Sequence, residues 1–262
     1  MEILFGLHPV TEAVRVRPRD LDHVTVLSGP ANSRVAALLD LCKAARVRVS
    51  HGSREDLQRM SRSDNHGGAV AFLKERKLLT LEDLVKPSDS KRFFLALDGV
   101  EDPHNMGAIL RTADGAGVDG VLVPERRSAP LDGAAAKASA GATEHVRIAK
   151  VTNLVRSLEE LKKNNVWIIG LDERGTMDYD EYDFTTDVCL VLGREGAGLH
   201  DLTKRTCDFL LRIPMQGAVP SLNVSVAGAV VMYEAARQRR AKTRPAPEAV
   251  AKPSKPRKGL GS

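Results

Sequence analysis

The chain has 262 residues, 42% of them hydrophobic and 28% charged, a balance that allows a packed core and excludes wholesale disorder. No run approaches the roughly 18 uninterrupted apolar residues of a membrane-spanning helix. The net charge of +5 does not describe the folded part: residues 238–262 hold eight Lys/Arg against one Asp/Glu, leaving 31 basic and 33 acidic residues in 1–237.

At the amino terminus, MEILFGLHPVTEAVR lacks the basic lead, apolar run and cleavage site of a secretory signal, so a cytoplasmic location is expected. The β-branched HVTVLSG (23–29) predicts a strand. Asn32 then opens an amphipathic run with Val35, Leu38, Leu39 and Cys42 at helical spacing. VRVS (47–50) predicts a strand, SREDLQRMSR (53–62) a short helix capped by Ser53, and GAVAFL (68–73) another strand. Residues 1–75 therefore read as a small α/β domain. The polar stretch 76–91, ending in Pro, Ser, Asp and Lys, reads as a linker.

A second domain spans 92–238. Its predicted strands are FFLALDG (93–99), GVLVP (120–124), VRIAKV (146–151), VWIIGLD (166–172), CLVLG (189–193) and FLLRIP (209–214). Helices are predicted from Asn105 to Ala116 and over about 131–140, 154–165, 200–207 and 222–238. Apolar strands alternating with helices imply a parallel sheet covered on both faces. The fold class is α/β. Beyond it, 239–262 carries one Leu and no aromatic residue, so a disordered basic tail is expected, either merely solubilising or touching phosphates.

Three cysteines without CxxC spacing argue against a disulfide scaffold or zinc site, and no metal is expected. Gly115, Gly117 and Gly120 match GxGxxG, but a helix precedes them and a strand follows, the reverse of a dinucleotide fingerprint. They read as a helix stop and turn. Gly193-Arg194-Glu195-Gly196-Ala197-Gly198 follows a buried strand, where bare backbone can approach a ligand, or where an ordinary turn would need glycine. Asn105 can cap the helix that carries Arg111, and an Arg on such an apolar segment implies an anionic partner, either a ligand or a salt bridge. In the third cluster, 213–225, Ser221 or Asn223 would cap the last helix, although polar groups beside glycines also suit a pocket.

Together, NxGxxxRT at Asn105–Thr112, LVLGREGAG at 190–198 and IPMxGxxxSLNVS at 213–225 resemble the three ordered motifs of the SpoU family of RNA ribose 2′-O-methyltransferases, within the knotted SPOUT superfamily. Phe5–Val10 and His66–Ala71 resemble that family's amino-terminal substrate-binding domain, similar in fold to ribosomal protein L30e, and Lys137–Ala142 also fits. The likeness covers about 1–237 and is closest to members that methylate a guanosine in the peptidyl-transferase loop of 23S rRNA. Pro220 stands where close relatives usually carry Ser.

The resemblance implies a carboxy-terminal SPOUT domain with a trefoil knot, a homodimer, an RNA substrate and S-adenosyl-L-methionine as cofactor. Leu192, Gly193, Gly196, Ile213, Met215, Gln216, Ser221 and Leu222 would bind that cofactor. Arg111 would act across the dimer interface, while Asn105, Glu195 and Asn223 would hold Arg111 and the loops in place. A tRNA 2′-O-methyltransferase of the same family is the alternative reading. A non-catalytic RNA-binding or ribosome-assembly protein is another, and the intact Asn105, Arg111, Glu195 and Asn223 argue against it.

Overall fold

The computed structural model describes residues 1–30, 32–86 and 91–243. The amino-terminal domain runs β1 (Glu2–Phe5), α1 (Leu7–Val16), β2 (Leu21–Leu27), α2 (Ser33–Ala44), β3 (Val49–Gly52), α3 (Arg54–Ser61) and β4 (Ala69–Leu73). Its sheet has the order β1-β4-β2-β3, with only β2 and β3 parallel. The predicted caps are in place: Asn32 accepts from the amides of Arg34 and Val35, and Ser53 forms a capping box with Asp56. The pair β1–α1 is an element the sequence reading did not predict. Four residues are too few to declare a period.

After a single turn α4 (Leu81–Leu84), the second domain runs β5 (Phe93–Leu97), α5 (Pro103–Ala116), β6 (Gly120–Pro124), α6 (Gly133–Ala138), β7 (Ile148–Val151), α7 (Leu154–Lys163), β8 (Trp167–Leu171), β9 (Met177–Asp178), β10 (Val188–Leu192), α8 (Asp201–Thr206), β11 (Phe209–Arg212) and α9 (Val224–Thr243). The seven strands are ordered β7-β6-β5-β10-β8-β11-β9, and every pairing is parallel. Strand β5 explains why both faces are covered. Phe93, Leu95 and Leu97 enter the core beneath α5 and α9, while Phe94 and Ala96 enter the core beneath α7.

Two expectations need correcting. The stretch 76–91 is not a free spacer throughout. Leu79 pairs in parallel with Ala149 on the edge of the sheet, and Leu84 is buried against the second domain's core. Four leucines in 78–84 make this strap, whatever the polarity of their neighbours. Nor does the last helix stop at 238. It continues to Thr243 because the Arg239 guanidinium donates to the carbonyls of Lys91, Arg92 and Thr186 and lies 5.1 Å from the Phe93 ring centre. The rest of the expected tail, 244–262, falls outside the described residues.

The domains meet through α6 and the following turn. Ala136 belongs to the amino-terminal core, and Lys137 donates to the Asn65 carbonyl above the Phe5 ring. Glu144, whose side chain is wholly buried, is gripped by two guanidinium groups. Arg17 Nε donates to its Oε2 at 2.7 Å and Arg76 to its Oε1, while Arg17 also holds Glu2 at 2.8 Å. A carboxylate from one domain is thereby locked between arginines of the other domain and the linker.

Candidate functional site

The parallel sheet brings the carboxyl ends of β5, β8, β10 and β11 to one edge, and the predicted motifs lie there. Strand β5 ends at Asp98, whose carboxylate accepts from the His200 amide at 2.8 Å and pairs with His200 Nδ1 at 2.9 Å. The helix that follows is capped by Asp102, which accepts from His104 and Asn105, and not by Asn105. A cap at Asn105 would leave Pro103, which suits the first helical turn, outside the helix. Asn105 is thus free for another task.

That task is to join the three motifs. Asn105 Nδ2 donates to Glu195 Oε2 at 3.0 Å, and Asn223 Nδ2 donates to Asn105 Oδ1 at 2.9 Å and to Glu195 Oε1 at 3.2 Å. Asn223 Oδ1 in turn accepts from the amide and hydroxyl of Ser225, fastening the start of α9. Its members come from the first turn of α5, the glycine loop after β10 and the residue before α9, so the ring ties these three segments together. The ring does not hold Arg111, as the resemblance implied. Arg111 is exposed and forms neither ion pair nor side-chain hydrogen bond among the described residues. Six residues beyond Asn105, it lies about 9 Å along α5 and about 120° around it. It cannot share the ring's face.

Beside the ring is a cavity of about 380 Å³, a size suited to a small organic ligand. Leu192, Gly193, Gly196, Ile213, Met215, Ser221 and Leu222 line it, with Pro220 and Glu195. Gln216 is exposed and is not among the residues that line the cavity. The glycine loop is a closed ring in which Arg194 and Gly198 exchange both backbone hydrogen bonds at 3.0 Å, with φ of +73° at Gly196 and +64° at Gly198. A Cβ at Gly193 would fall 2.3 Å from the Gly198 carbonyl carbon, so only glycine lets the ring close.

Sequence reading missed one wall of this cavity. Asp172, at the end of β8, is buried with its Oδ2 2.7 Å from Lys204 Nζ of α8, and its Oδ1 accepts from the Arg174 amide. The signal was present as three charged residues directly after an apolar strand. The cysteines take no part. Burial raises Cys42 and Cys189 and pushes Cys207 up to about 12, so none offers a thiolate for covalent catalysis. The GxGxxG stretch is a helix stop, with Gly117 ending α5 at φ +74°.

Comparison with known proteins bears on this geometry. Residues 92–233 match the profile of the SpoU rRNA Methylase family, and residues 3–79 match that of RNA 2′-O ribose methyltransferase substrate-binding domains. The 23S rRNA (guanosine-2′-O-)-methyltransferase RlmB of Ralstonia nicotianae is 41% identical over 239 residues, covering 91% of this chain and 96% of that protein. Among solved structures, the AdoMet-bound rRNA methyltransferase of Sinorhizobium meliloti superposes with a TM-score of 0.70 at 26% identity, covering 90% of this chain and 87% of that one. The fold is shared with the SpoU methyltransferase AviRb of Streptomyces viridochromogenes, with a TM-score of 0.76 at 24% identity over 91% of this chain and 90% of that one.

Proposed function

The chain belongs to the SpoU rRNA methylase family, and from that premise we propose that it methylates the ribose 2′-hydroxyl of a guanosine in the peptidyl-transferase loop of 23S rRNA, using S-adenosyl-L-methionine. The observation that carries this reading is the hydrogen-bonded ring of Asn105, Glu195 and Asn223, which closes three motif loops around one cavity. The 41% identity to a 23S rRNA enzyme, over nearly the whole of both chains, favours that substrate over tRNA.

The cavity suits the cofactor. Its apolar walls, Leu192, Ile213, Leu222 and Val224, can take a nucleoside, and the bare backbone at Gly196 offers amide and carbonyl groups. Asp172, Glu173, Glu195 and Asp201 supply the negative charge that a sulfonium and an ammonium call for, and Arg174, Arg194 and Lys204 can face a carboxylate. When bound, the cofactor supplies a methyl group activated by its positive sulfur. The protein must then align the 2′-oxygen and manage its proton. Arg111 is the residue assigned to the second task. A guanidinium keeps its proton and is a poor base, but it can hold the oxyanion that appears as the 2′-hydroxyl proton leaves. The ring residues are positioning residues.

Because Arg111 faces away from its own ring, we assign it to the site of a second copy. An apolar surface beside it supports a homodimer. Val226 and Tyr233, seven residues apart on one face of α9, are each about half exposed, and the Tyr233 hydroxyl lies against Gly115 of α5. The last segments would be knotted. Strand β10 returns between β5 and β8, and β11 then lies outside them, the kind of path such threading needs. The enzyme would act in the bacterial cytoplasm. Among the described residues no helix is long and apolar enough to cross a membrane, and no cluster of His, Cys, Asp or Glu could hold a metal ion.

Calorimetric titration of the full chain with S-adenosyl-L-methionine tests the reading. One molecule should bind per chain, equally with and without a chelator, and Gly193→Ala should abolish binding because its Cβ forces the loop open. A folded native protein that takes up no cofactor contradicts it.

A further inference from the structure

We propose that Arg127, with Arg126 beside it, contacts the backbone phosphates of the RNA where it runs from the substrate-binding domain to the transfer site. The proposal rests on the reading above that the site acts on RNA. Both residues lie in the loop between β6 and α6, on the edge of the sheet that carries the cavity. The Ala129 amide donates to the Val100 carbonyl at 2.8 Å, tying this loop to the segment before α5. Val100 itself lines a small second cavity with Asn105 and Glu195. At its other end the loop leads into α6, which packs on β1 of the amino-terminal domain. It bridges the two places that an RNA strand must visit.

Its backbone is strained, and among the described residues no helix end accounts for it. Arg127 has φ +57°, a region that penalises any residue with a Cβ. Among the described residues four other non-glycine positions share that region, namely Arg46, Arg62, Ala140 and Asn165. Each of these follows the end of a helix, where the turn is held by backbone bonds such as Val47 N to Cys42 O or Val166 N to Leu161 O. Arg127 ends no helix. It sits three residues after a strand, in a turn closed by the Ser128 hydroxyl on the Pro124 carbonyl at 2.6 Å.

The side chain gains nothing in return within the protein. Arg126 and Arg127 are both exposed, and neither makes an ion pair or a side-chain hydrogen bond among the described residues. Strain of this kind persists where function requires a side chain to be aimed. Guanidinium presents a planar fork that matches a phosphate, and phosphate contacts fix the register of a nucleic acid on a protein. An arginine where glycine would be relaxed is therefore a cation held out toward an anion.

The test uses the full chain, a 23S rRNA transcript carrying the peptidyl-transferase loop, and the variants Arg127→Gly, Arg127→Asn and Arg127→Lys. Gly and Asn both accept the left-handed backbone without the charge. Either should melt no lower than the native protein and bind S-adenosyl-L-methionine unchanged. RNA affinity should fall several-fold, the slope of log affinity against log salt should become shallower by about one, and KM for RNA should rise more than kcat falls. Arg127→Lys should keep the salt slope. If the Gly and Asn variants bind RNA with native affinity and slope, the turn serves only the fold and the proposal is wrong. A native protein that binds cofactor but neither binds nor methylates the transcript overturns the parent reading and this one together.

Discussion

Arg111→Ala is expected to fold, to dimerise and to bind S-adenosyl-L-methionine with native affinity, yet to lose roughly 100- to 1000-fold in turnover. The magnitude follows from where the charge is needed. A cation that meets an oxyanion only as the 2′-hydroxyl proton leaves contributes to the transition state and not to the bound ground state, so kcat falls without loss of cofactor. The stability of the fold should not change, because the exposed Arg111 side chain makes no ion pair among the described residues. Arg111→Lys should recover little, since a point charge cannot reproduce a planar fork. Acting across the interface makes a stronger demand. Mixing Arg111→Ala with Gly193→Ala should regenerate one complete site per mixed dimer, because each subunit supplies what the other lacks. Mixed dimers that stay inactive while both variants fold would rule out a trans-acting arginine.

Glu144→Ala should cost about 3–5 kcal/mol of stability, read by urea unfolding of the full chain. Its carboxylate has no solvent exposure and stands between Arg17 and Arg76, with Glu2 completing the cluster. Removing it leaves two guanidinium groups facing each other in a largely dehydrated space, which is dearer than losing the pair itself. Glu144→Gln should also destabilise, because it keeps the shape but not the charge. An exposed pair is the control. Removing Glu12, partnered by Arg15 on the surface of α1 and by His145, should cost about 1 kcal/mol or less. A loss under about 1 kcal/mol at Glu144 would mean that the two domains are not docked through this cluster.

Local signals carried most of the second domain. Strands such as 93–97 and 188–192 announce themselves as apolar runs between glycines and charged turns, and the helix over 154–163 by its amphipathic spacing. Four-residue β1 and two-residue β9 are too short to show a period, and pairing alone defines them. The cap of α5 went to Asp102 because the sequence offers two capping residues, and only Pro103 between them decides which one starts the helix. The three motif loops were legible as motifs, but their closure into a ring was not. Asn105 and Asn223 stand 118 residues apart and meet because α5, which carries Asn105, packs against α9, which Asn223 immediately precedes. Glu144 and Arg17 are 127 residues apart, with nothing local to mark either as a partner. Asp172 and Lys204 were passed over for a simpler reason, since charges after a strand usually face water. The helix beyond 238 depends on carbonyls at Lys91, Arg92 and Thr186, which no reading of an Arg-rich end could supply.

Purified protein incubated with S-adenosyl-L-methionine and unmodified 23S rRNA, followed by nuclease digestion and nucleoside mass spectrometry, addresses the central claim most directly. The product should be 2′-O-methylguanosine, mapped to the peptidyl-transferase loop and formed without added metal beyond what the RNA needs to fold. A methyl group on a base, methylation confined to tRNA, or no transfer by a protein that binds the cofactor would contradict it.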